Sequence, residues 1–222
     1  MKITELVFIL DKSGSMSGME QDTIGGFNAM IEKQRMEEGE ALVSTILFST
    51  YSKVIHDRVR VGEVAPLTRN DYAVGGCTAL LDAIGDAIKH VSKVHKYARP
   101  EDVPDKTIFI ITTDGFENAS RKWNSKEIKE LVSQKEKDGW EFLFLGANID
   151  AVETASGLGI REDRAVNYCV KEDTTNMFME IGETVSCFRK TGNVDEKWAR
   201  KVERNLRDKN KKSYPKHKNK KA

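Results

Sequence analysis

Mostly apolar runs alternate with amphipathic stretches along most of this chain. Such runs are typical of strands covered on both faces of a sheet, and four of them occupy residues 6–10, 42–48, 107–113 and 140–145. Apolar positions recur at helical spacing between them and predict helices over residues 19–36, 79–95, 126–137, 150–156 and 174–188. Strands that alternate with helices indicate an α/β fold, doubly wound around a mostly parallel sheet.

Two further strands complete the predicted sheet. From Lys53 to Val61 apolar and polar residues alternate imperfectly, which suits an edge strand joined to the preceding strand as a hairpin and therefore antiparallel to it. Residues 164–170 form the sixth predicted strand. The expected architecture is a six-stranded, mostly parallel sheet with one antiparallel edge strand and helices on both faces, a Rossmann-like arrangement. We expect Ser125 to cap the helix over residues 126–137.

The composition describes a globular protein with a strongly charged surface. The chain has 222 residues, of which 39% are hydrophobic and 32% charged, enough for one large domain and an extension. Residues 1–5 do not resemble a signal peptide, and no apolar run approaches the ~20 residues that span a bilayer. Cys77, Cys169 and Cys187 lack the number and spacing of a disulfide framework or a zinc site. A cytoplasmic location without a membrane span is therefore expected.

The net charge of +1 conceals two oppositely charged parts. Residues 189–222 contain 14 Lys or Arg and 4 Asp or Glu, a formal charge of +10. Residues 1–188 contain 22 Lys or Arg and 31 Asp or Glu, a formal charge of −9. We therefore predict a domain over residues 1–190 and a basic C-terminal extension over residues 191–222.

An apolar residue recurs at every fourth position near the start of this extension, at Val194, Trp198, Val202 and Leu206. The spacing predicts a basic amphipathic helix over residues 194–208, followed by a disordered segment. Three roles fit this composition: the helix docks on the acidic domain, it binds an acidic partner such as nucleic acid, or the extension is a solvated tail.

Candidate chemistry begins where the first predicted strand ends. Asp11 follows the apolar run, and Ser13 and Ser15 follow at alternate positions around Gly14, which allows a tight turn. Three side-chain oxygens can therefore point into one small volume, which suits a hard divalent cation. Helix capping is the alternative role of this cluster, because Asp and Ser commonly cap helices.

Two later segments add oxygen atoms at the same edge of the predicted sheet. Thr78 lies between the Gly75-Gly76 loop and the second predicted helix. Asp114 follows a buried strand in the same way as Asp11 follows the first one. Parallel strands that end on carboxylates place both side chains at the edge where open α/β sheets bind ligands.

The pattern Asp-x-Ser-x-Ser, a distant Thr and a distant Asp is filled by Asp11, Ser13, Ser15, Thr78 and Asp114. It resembles the metal-ion-dependent adhesion site of the von Willebrand factor A (vWA) family. The segments GGCTALLDAIG, TTDGFENAS and FLFLGANIDA are also similar to bacterial and phage members of that family. The resemblance covers roughly residues 3–188 and implies a vWA fold.

The resemblance also implies a role for each residue of this pattern. The hydroxyls of Ser13 and Ser15 are expected to coordinate Mg²⁺ directly, and Thr78 contributes a third hydroxyl directly or through water. Asp11 and Asp114 are expected to hold the coordinating waters and neutralise the ion, for which Mn²⁺ and Ca²⁺ are alternatives. Neutral hydroxyls leave the ion electrophilic, so the implied function is non-enzymatic: metal-dependent binding of a protein partner through an Asp or Glu carboxylate.

Two other functions stay open. A bound divalent ion also activates water in hydrolases and phosphatases, which need a general base or nucleophile beside the metal. Glu117 is the best additional carboxylate for that role, but we interpret it as a solvated loop residue, and Cys77 as a small packing residue. Alternatively, the basic extension makes the protein a nucleic-acid-associated adaptor, whose binding weakens steeply with salt and survives metal chelation.

Overall fold

Strands and helices alternate along the chain in the computed structural model, which describes residues 3–147, 149–168, 170–200 and 202. The strands are β1 (Ile3–Asp11), β2 (Glu40–Phe48), β3 (Ser52–Arg60), β4 (Lys106–Thr113), β5 (Glu141–Ala147) and β6 (Ala165–Tyr168). The helices are α1 (Glu20–Arg35), α2 (Leu80–Tyr97), α3 (Ser125–Lys137), α4 (Ala151–Gly157) and α5 (Val170–Thr191). Residues 198–200 and 202 are also helical.

The strands form one sheet in the order β3-β2-β1-β4-β5-β6. The β2–β3 pair is antiparallel, and the other four neighbouring pairs are parallel. The predicted fold class, a mostly parallel six-stranded sheet with one antiparallel edge strand, is therefore confirmed. The strand order reverses between β1 and β4, where the chain crosses from one half of the sheet to the other.

The sheet separates two hydrophobic cores. Leu6, Phe8 and Leu10 of β1 face a core that α1 and α5 cover, whereas Val7 and Ile9 face a core that α2, α3 and α4 cover. This alternation explains why the strand is continuously apolar, since each face of the sheet buries its own set of side chains. Within the described residues, no helix combines the length and the apolar character needed to cross a bilayer.

Two of the predicted boundaries are wrong in an instructive way. Asn124, not Ser125, caps α3, and its side chain and that of Glu127 each accept a hydrogen bond from the other residue's backbone N–H. The sixth strand ends at Tyr168, not at Val170, and Val170 is the first residue of α5. Its partner strand among the described residues, β5, likewise ends at Ala147, which lies opposite Tyr168.

Gly26, inside α1, is required where α1 and α5 pack. A methyl group on Gly26 would lie 2.5 Å from the ring of Phe178 on α5, so only glycine allows this close approach. The cost of glycine inside a helix is about 0.5–1 kcal/mol relative to alanine. Packing against Phe178, which is fully buried, offsets that cost.

A buried carboxylate lies on β1 at the end of the sheet opposite Asp11. Glu5 is 0% exposed, and its two oxygens pair with Arg58 Nε at 2.9 Å and with His95 Nε2 at 2.7 Å. Arg58 has a φ of 51°, in the irregular part of the β2–β3 pairing. Paired and hydrogen-bonded in this way, a charge can be buried without the full desolvation penalty.

The first part of the predicted extension packs on the core formed with α1 and α5. Val194, Trp198 and Val202 are buried in this core, and Trp198 Nε1 donates a hydrogen bond of 2.8 Å to the carbonyl of Asp163. Residues 201 and 203–222, which include Leu206 and most of the basic residues, lie outside the described residues. The described part of this segment therefore docks on the domain.

Candidate metal site

The segments that carry Asp11 and Asp114 meet because β1 and β4 are parallel neighbours in the sheet. Leu10 lies opposite Thr112 in this pairing, so Asp11 and Asp114 both leave the sheet at the same edge. Thr113 Oγ1 donates a hydrogen bond of 2.6 Å to Asp11 Oδ2, which fixes the end of β4 against the end of β1.

A chain of short contacts then connects four of the five predicted residues. The backbone N–H of Ser13 donates to Asp11 Oδ1 at 2.6 Å, and Ser13 Oγ lies 3.1 Å from Ser15 Oγ. Ser15 Oγ donates in turn to Asp114 Oδ1 at 2.6 Å. The turn at Gly14 therefore places two hydroxyls between two carboxylates.

Thr78 approaches this cluster over the backbone of Gly115. A methyl group on Gly115 would lie 3.1 Å from Thr78 Oγ1 and 3.3 Å from Ser15 Oγ. Both hydroxyls therefore face the same small space, which a larger residue after Asp114 would fill. The structure thus brings all five predicted residues together, although their segments are far apart in the sequence.

The carboxylates at the centre of the cluster are buried. Asp11 is 0% exposed and Asp114 is 4% exposed. Burial raises the pKa of Asp11, although Thr113 and Ser13 donate hydrogen bonds to it. Burial also raises the pKa of Asp114, and the nearby negative charge of Asp11 adds to the effect. Both ionised forms are therefore disfavoured unless a cation compensates them.

One oxygen in the cluster has no compensation from the protein. Asp114 Oδ2 is buried, and no hydrogen-bond donor reaches it within the described part of the chain. A buried acceptor without a partner costs about 1–3 kcal/mol, and more when it is charged. A divalent cation beside Asp114 and the three hydroxyls would satisfy this oxygen, so the residues present fit such an ion.

The donor set explains what kind of metal fits. In residues 3–147, 149–168, 170–200 and 202, no group of three or more His, Cys, Asp or Glu side chains is placed to hold a metal. The cluster instead combines two carboxylates with three hydroxyls. Oxygen ligands of this type suit Mg²⁺, Mn²⁺ or Ca²⁺.

Residues 72–76 support the turn at Gly14, a role that sequence reasoning did not give to the Gly75-Gly76 loop or to Tyr72. The backbone N–H of Gly14 donates to the carbonyl of Gly76 at 3.0 Å, and that of Gly75 donates to the carbonyl of Lys12 at 2.9 Å. The buried hydroxyl of Tyr72 donates to the backbone carbonyl of Asp11. Nothing local in the sequence indicates this role of Tyr72, because it depends on how the loop crosses the end of β1.

Glu117 is not the solvated loop residue that we expected. Its Oε1 accepts hydrogen bonds from the backbone N–H groups of Ala119 and Ser120 at 2.8 and 2.7 Å. Its Oε2 accepts from Ser120 Oγ at 2.7 Å and from the N–H of Leu81 at 2.9 Å. The first turn of α2 has no side-chain cap from its own N-cap residue, Ala79. Glu117 supplies one from a distant loop, and a carboxylate is also favourable beside a helix N-terminus.

Asn118 holds Thr78 by two backbone contacts. The N–H of Thr78 donates to Asn118 Oδ1 at 2.9 Å, and the N–H of Asn118 donates to the carbonyl of Thr78 at 3.0 Å. Because Asn118 lies four residues beyond Asp114, these bonds set the distance between two of the five site residues. Sequence reasoning missed Asn118, whose only signal is its place in the TTDGFENAS segment.

The Asn118→Ala substitution is expected to weaken Mg²⁺ binding about fivefold. It removes the acceptor of the Thr78 N–H, and one hydrogen bond is worth about 0.5–1.5 kcal/mol. Isothermal titration calorimetry with Mg²⁺ measures the change. Asn118→Asp keeps the acceptor and adds a negative charge near the cation, so it is expected to bind Mg²⁺ at least as tightly as the parent. Equal affinities of Asn118→Ala and the parent would show that Thr78 needs no such support.

The Gly115→Ala substitution is expected to weaken Mg²⁺ binding about tenfold, or ~1.4 kcal/mol. The new methyl group would lie tighter than ordinary contact with Thr78 Oγ1 and Ser15 Oγ, and these hydroxyls must move apart by a few tenths of an ångström. Gly157→Ala is the matched control, because a methyl group there meets no atom within 4 Å. The same calorimetric titration compares both variants, and an unchanged affinity for Gly115→Ala would contradict the geometry described above.

Comparison with solved structures identifies the fold as that of vWA domains. The vWF domain of the type V pili tip protein Mfa5 from Porphyromonas gingivalis matches with a TM-score of 0.61 and 10% identity, over 87% of this chain and 98% of that one. The ArnB paralog VWA2 from Sulfolobus acidocaldarius matches with a TM-score of 0.55 and 18% identity, over 83% of this chain and 45% of that one. At these identities the likeness shows the fold alone.

A third similar structure contains a metal. Proximal thread matrix protein 1 from the mussel byssus, with a zinc-occupied MIDAS motif, matches with a TM-score of 0.55 and 13% identity. The match covers 83% of this chain but only 46% of the mussel protein. No family model and no curated protein sequence matches this chain.

Proposed function

We propose that this chain is a divalent-cation-dependent protein-binding domain. Ser13, Ser15 and Thr78 would hold the cation with their hydroxyls, and Asp11 and Asp114 would balance its charge. Mg²⁺ is the preferred ion, because it favours oxygen ligands and keeps several waters. When bound, the ion supplies an electrophilic position that accepts a carboxylate oxygen from an Asp or Glu side chain of a partner.

The observation that carries this proposal is the buried, unpartnered Oδ2 of Asp114 inside a cluster of hydroxyls. Helix capping, the alternative role of this cluster, does not account for that oxygen, since a capping carboxylate accepts hydrogen bonds from backbone N–H groups. The zinc-occupied MIDAS motif of the mussel protein supports divalent-cation binding by a similar fold. A matrix protein and a pili tip protein among the similar structures support a protein as the partner.

The chain's own residues make three contributions to this function. Asp11, held by Thr113 and Ser13, anchors the turn that presents the two serine hydroxyls. Asn118 holds Thr78 beside Asp114. Ser15 is exposed while Ser13 is buried, so the cluster is accessible from the side of Ser15. A partner's carboxylate would therefore reach the site from that side.

A hydrolase or phosphatase receives less support from the structure. Glu117, the best additional carboxylate, has both oxygens engaged by hydrogen bonds that hold the first turn of α2. A general base needs a free oxygen within hydrogen-bond reach of a water or substrate hydroxyl. Among the described residues, the cluster itself contains carboxylates only at Asp11 and Asp114, which the cation requires.

The proposal is tested by a pull-down from the native host in Mg²⁺ and in EDTA, with the parent and Ser13→Ala as baits. A partner captured by the parent in Mg²⁺, and lost both in EDTA and with Ser13→Ala, is the expected result. A partner that survives chelation but is released by moderate salt would instead support binding through the basic residues near the C-terminus. Capture that neither EDTA nor Ser13→Ala changes would overturn the proposal.

A further inference from the structure

The segments around the candidate metal site carry little charge. Apart from Asp11 and Asp114 themselves, four segments form the site and its surroundings: residues 12–18, 49–52, 73–79 and 115–120. They contain 24 residues, of which only Lys12 and Glu117 are charged. Charged residues make up 32% of the whole chain, which corresponds to about eight in 24 residues. Such depletion of charged side chains is a feature of the centre of protein–protein interfaces.

Both of these charged side chains are already engaged. Lys12 Nζ donates a hydrogen bond of 3.1 Å to the carbonyl of Ala73. The two oxygens of Glu117 accept hydrogen bonds from its own loop and from the first turn of α2. A partner with several acidic side chains would therefore find a single lysine beside the cation, and it would gain little from the additional carboxylates.

Tyr51 adjoins the site through the side chain of Thr50. The backbone N–H of Cys77 donates to Thr50 Oγ1 at 2.9 Å, and a methyl group on Gly76 would lie 2.7 Å from the same oxygen. The carbonyl of Gly76 accepts a hydrogen bond of 3.0 Å from the N–H of Gly14, in the turn between the two serines of the site. Tyr51 directly follows Thr50 in the chain, and it is 81% exposed.

Phe116 adjoins the site through Gly115. The backbone of Gly115 is part of the cluster, because a methyl group there would lie 3.1 Å from Thr78 Oγ1 and 3.3 Å from Ser15 Oγ. Phe116 is the next residue, and it is 65% exposed. One exposed aromatic side chain is ordinary, but two of them beside the same charge-poor site match the aromatic anchors of protein interfaces.

We propose that Tyr51 and Phe116 form an apolar rim beside the cation, and that the partner's metal-binding carboxylate is flanked by apolar side chains that pack on this rim. The proposal rests on the proposed cation-dependent function and names the chemistry of the partner. Apolar contacts around the carboxylate exclude water and so strengthen its attraction to the cation. A cluster of acidic residues fits less well, because residues 1–188 have a formal charge of −9 and repel it.

Three short peptides test this inference. In an extended peptide alternate side chains lie on the same side, so residues two positions from a central Glu face the protein together with it. The apolar probe is acetyl-Leu-Ser-Glu-Ser-Leu-amide, the neutral control is acetyl-Ser-Ser-Glu-Ser-Ser-amide, and the acidic control is acetyl-Glu-Ser-Glu-Ser-Glu-amide. Binding to the ¹⁵N-labelled protein in excess Mg²⁺ is followed by NMR chemical-shift titration.

The apolar probe is expected to bind about tenfold more tightly than the neutral control, because each Leu buries part of its surface on the rim. It is also expected to bind more tightly than the acidic control. The amide signals of Tyr51 and Phe116 are expected to shift on titration with the apolar probe.

Three variants locate the effect. Tyr51→Ser and Phe116→Ser are each expected to reduce the tenfold preference to about threefold, because each removes half of the rim. Tyr97→Ser changes an aromatic side chain that is 72% exposed at the end of α2, and this matched control is expected to retain the full preference. The variants are also titrated with Mg²⁺ alone. A preference lost together with the Mg²⁺ affinity would show that the two side chains act on the metal site and not as a rim, and it would overturn the inference.

The possible outcomes separate this inference from the proposed function. If the neutral control binds in Mg²⁺ but not in EDTA and the apolar probe binds no better, the rim inference is wrong and the cation-dependent function stands. If the acidic control binds most tightly, or if the preference persists in both rim variants, the inference is again overturned. If Mg²⁺ binds but no peptide does, both proposals fail together.

Discussion

Replacing Trp198 with alanine is expected to lower the free energy of unfolding by about 3–5 kcal/mol. Trp198 is 1% exposed and packs in the core that α1 and α5 cover. Its ring nitrogen also donates to the carbonyl of Asp163, just before β6. The substitution therefore opens a large cavity and removes the shorter of two hydrogen bonds to this carbonyl, the other coming from Arg164 Nη1 at 3.4 Å. Urea denaturation followed by circular dichroism measures the loss.

Two variants control this experiment. Trp198→Phe keeps most of the apolar volume and removes only the hydrogen bond, so a loss of about 1 kcal/mol is expected. Tyr97→Ala removes a large side chain that is 72% exposed, and its effect is expected to stay within about 0.5 kcal/mol. If Trp198→Ala unfolds like the parent, the segment after α5 is a separate appendage and not part of the folded domain.

Replacing Asp114 with asparagine is expected to abolish the stabilisation of the protein by Mg²⁺. For the parent at a free Mg²⁺ concentration 100 times the dissociation constant, linkage gives about 2.7 kcal/mol. Asparagine preserves the shape of the side chain but removes the charge that the cation balances. Thermal unfolding with and without Mg²⁺ measures the difference, and Asp11→Ala is expected to lose the Mg²⁺ effect as well.

Without metal, Asp114→Asn should be the protein that keeps more of its stability as the pH rises, whereas Mg²⁺ favours the parent. Because the pKa of Asp114 is raised in the folded state, the folded protein binds more protons than the unfolded chain above the ordinary pKa of a carboxyl group. The metal-free parent therefore loses stability as the pH rises from about 4 through the raised pKa. Asp114→Asn lacks this penalty and should lose less stability over the same range.

A surface variant provides the comparison for Asp114→Asn. Glu130→Gln removes an exposed carboxylate from α3 and should keep the full Mg²⁺ effect of the parent. An equal Mg²⁺ shift in Asp114→Asn and in the parent would count against the site. Loss of the Mg²⁺ effect in Glu130→Gln would also count against the site, because the cation would then act on general surface charge.

The fold and the meeting of the site residues could be predicted because they depend on strong and simple patterns. Continuously apolar strands that alternate with amphipathic helices leave few arrangements other than a doubly wound sheet. Within such a sheet, Asp11 and Asp114 come together because each follows a buried parallel strand. Ser13 and Ser15 then need only the tight turn at Gly14. That these residues bind a cation remains a proposal.

The supporting residues could not be predicted, since their roles come from contacts between distant segments. Glu117 lies in the segment Gly115-Phe116-Glu117-Asn118-Ala119-Ser120, whose composition is equally typical of a solvated loop. Its engagement depends on the free N–H of Leu81, 36 positions earlier in the chain. Asn124 is different: the spacing Asn124-x-x-Glu127 is a capping box that the sequence does contain. The sequence therefore does contain the information that Asn124, and not Ser125, caps α3.

The contacts of the site also determine when it can form during folding. They join residues 99, 102 and 40 positions apart in the sequence, in the Ser15–Asp114, Asp11–Thr113 and Thr78–Asn118 pairs. Contacts of this range form only after β1 and β4 have docked and the long loops between them have closed. The early chain therefore has no place for a cation, and a cation bound at the proposed site is expected to slow unfolding and to leave the rate of folding unchanged.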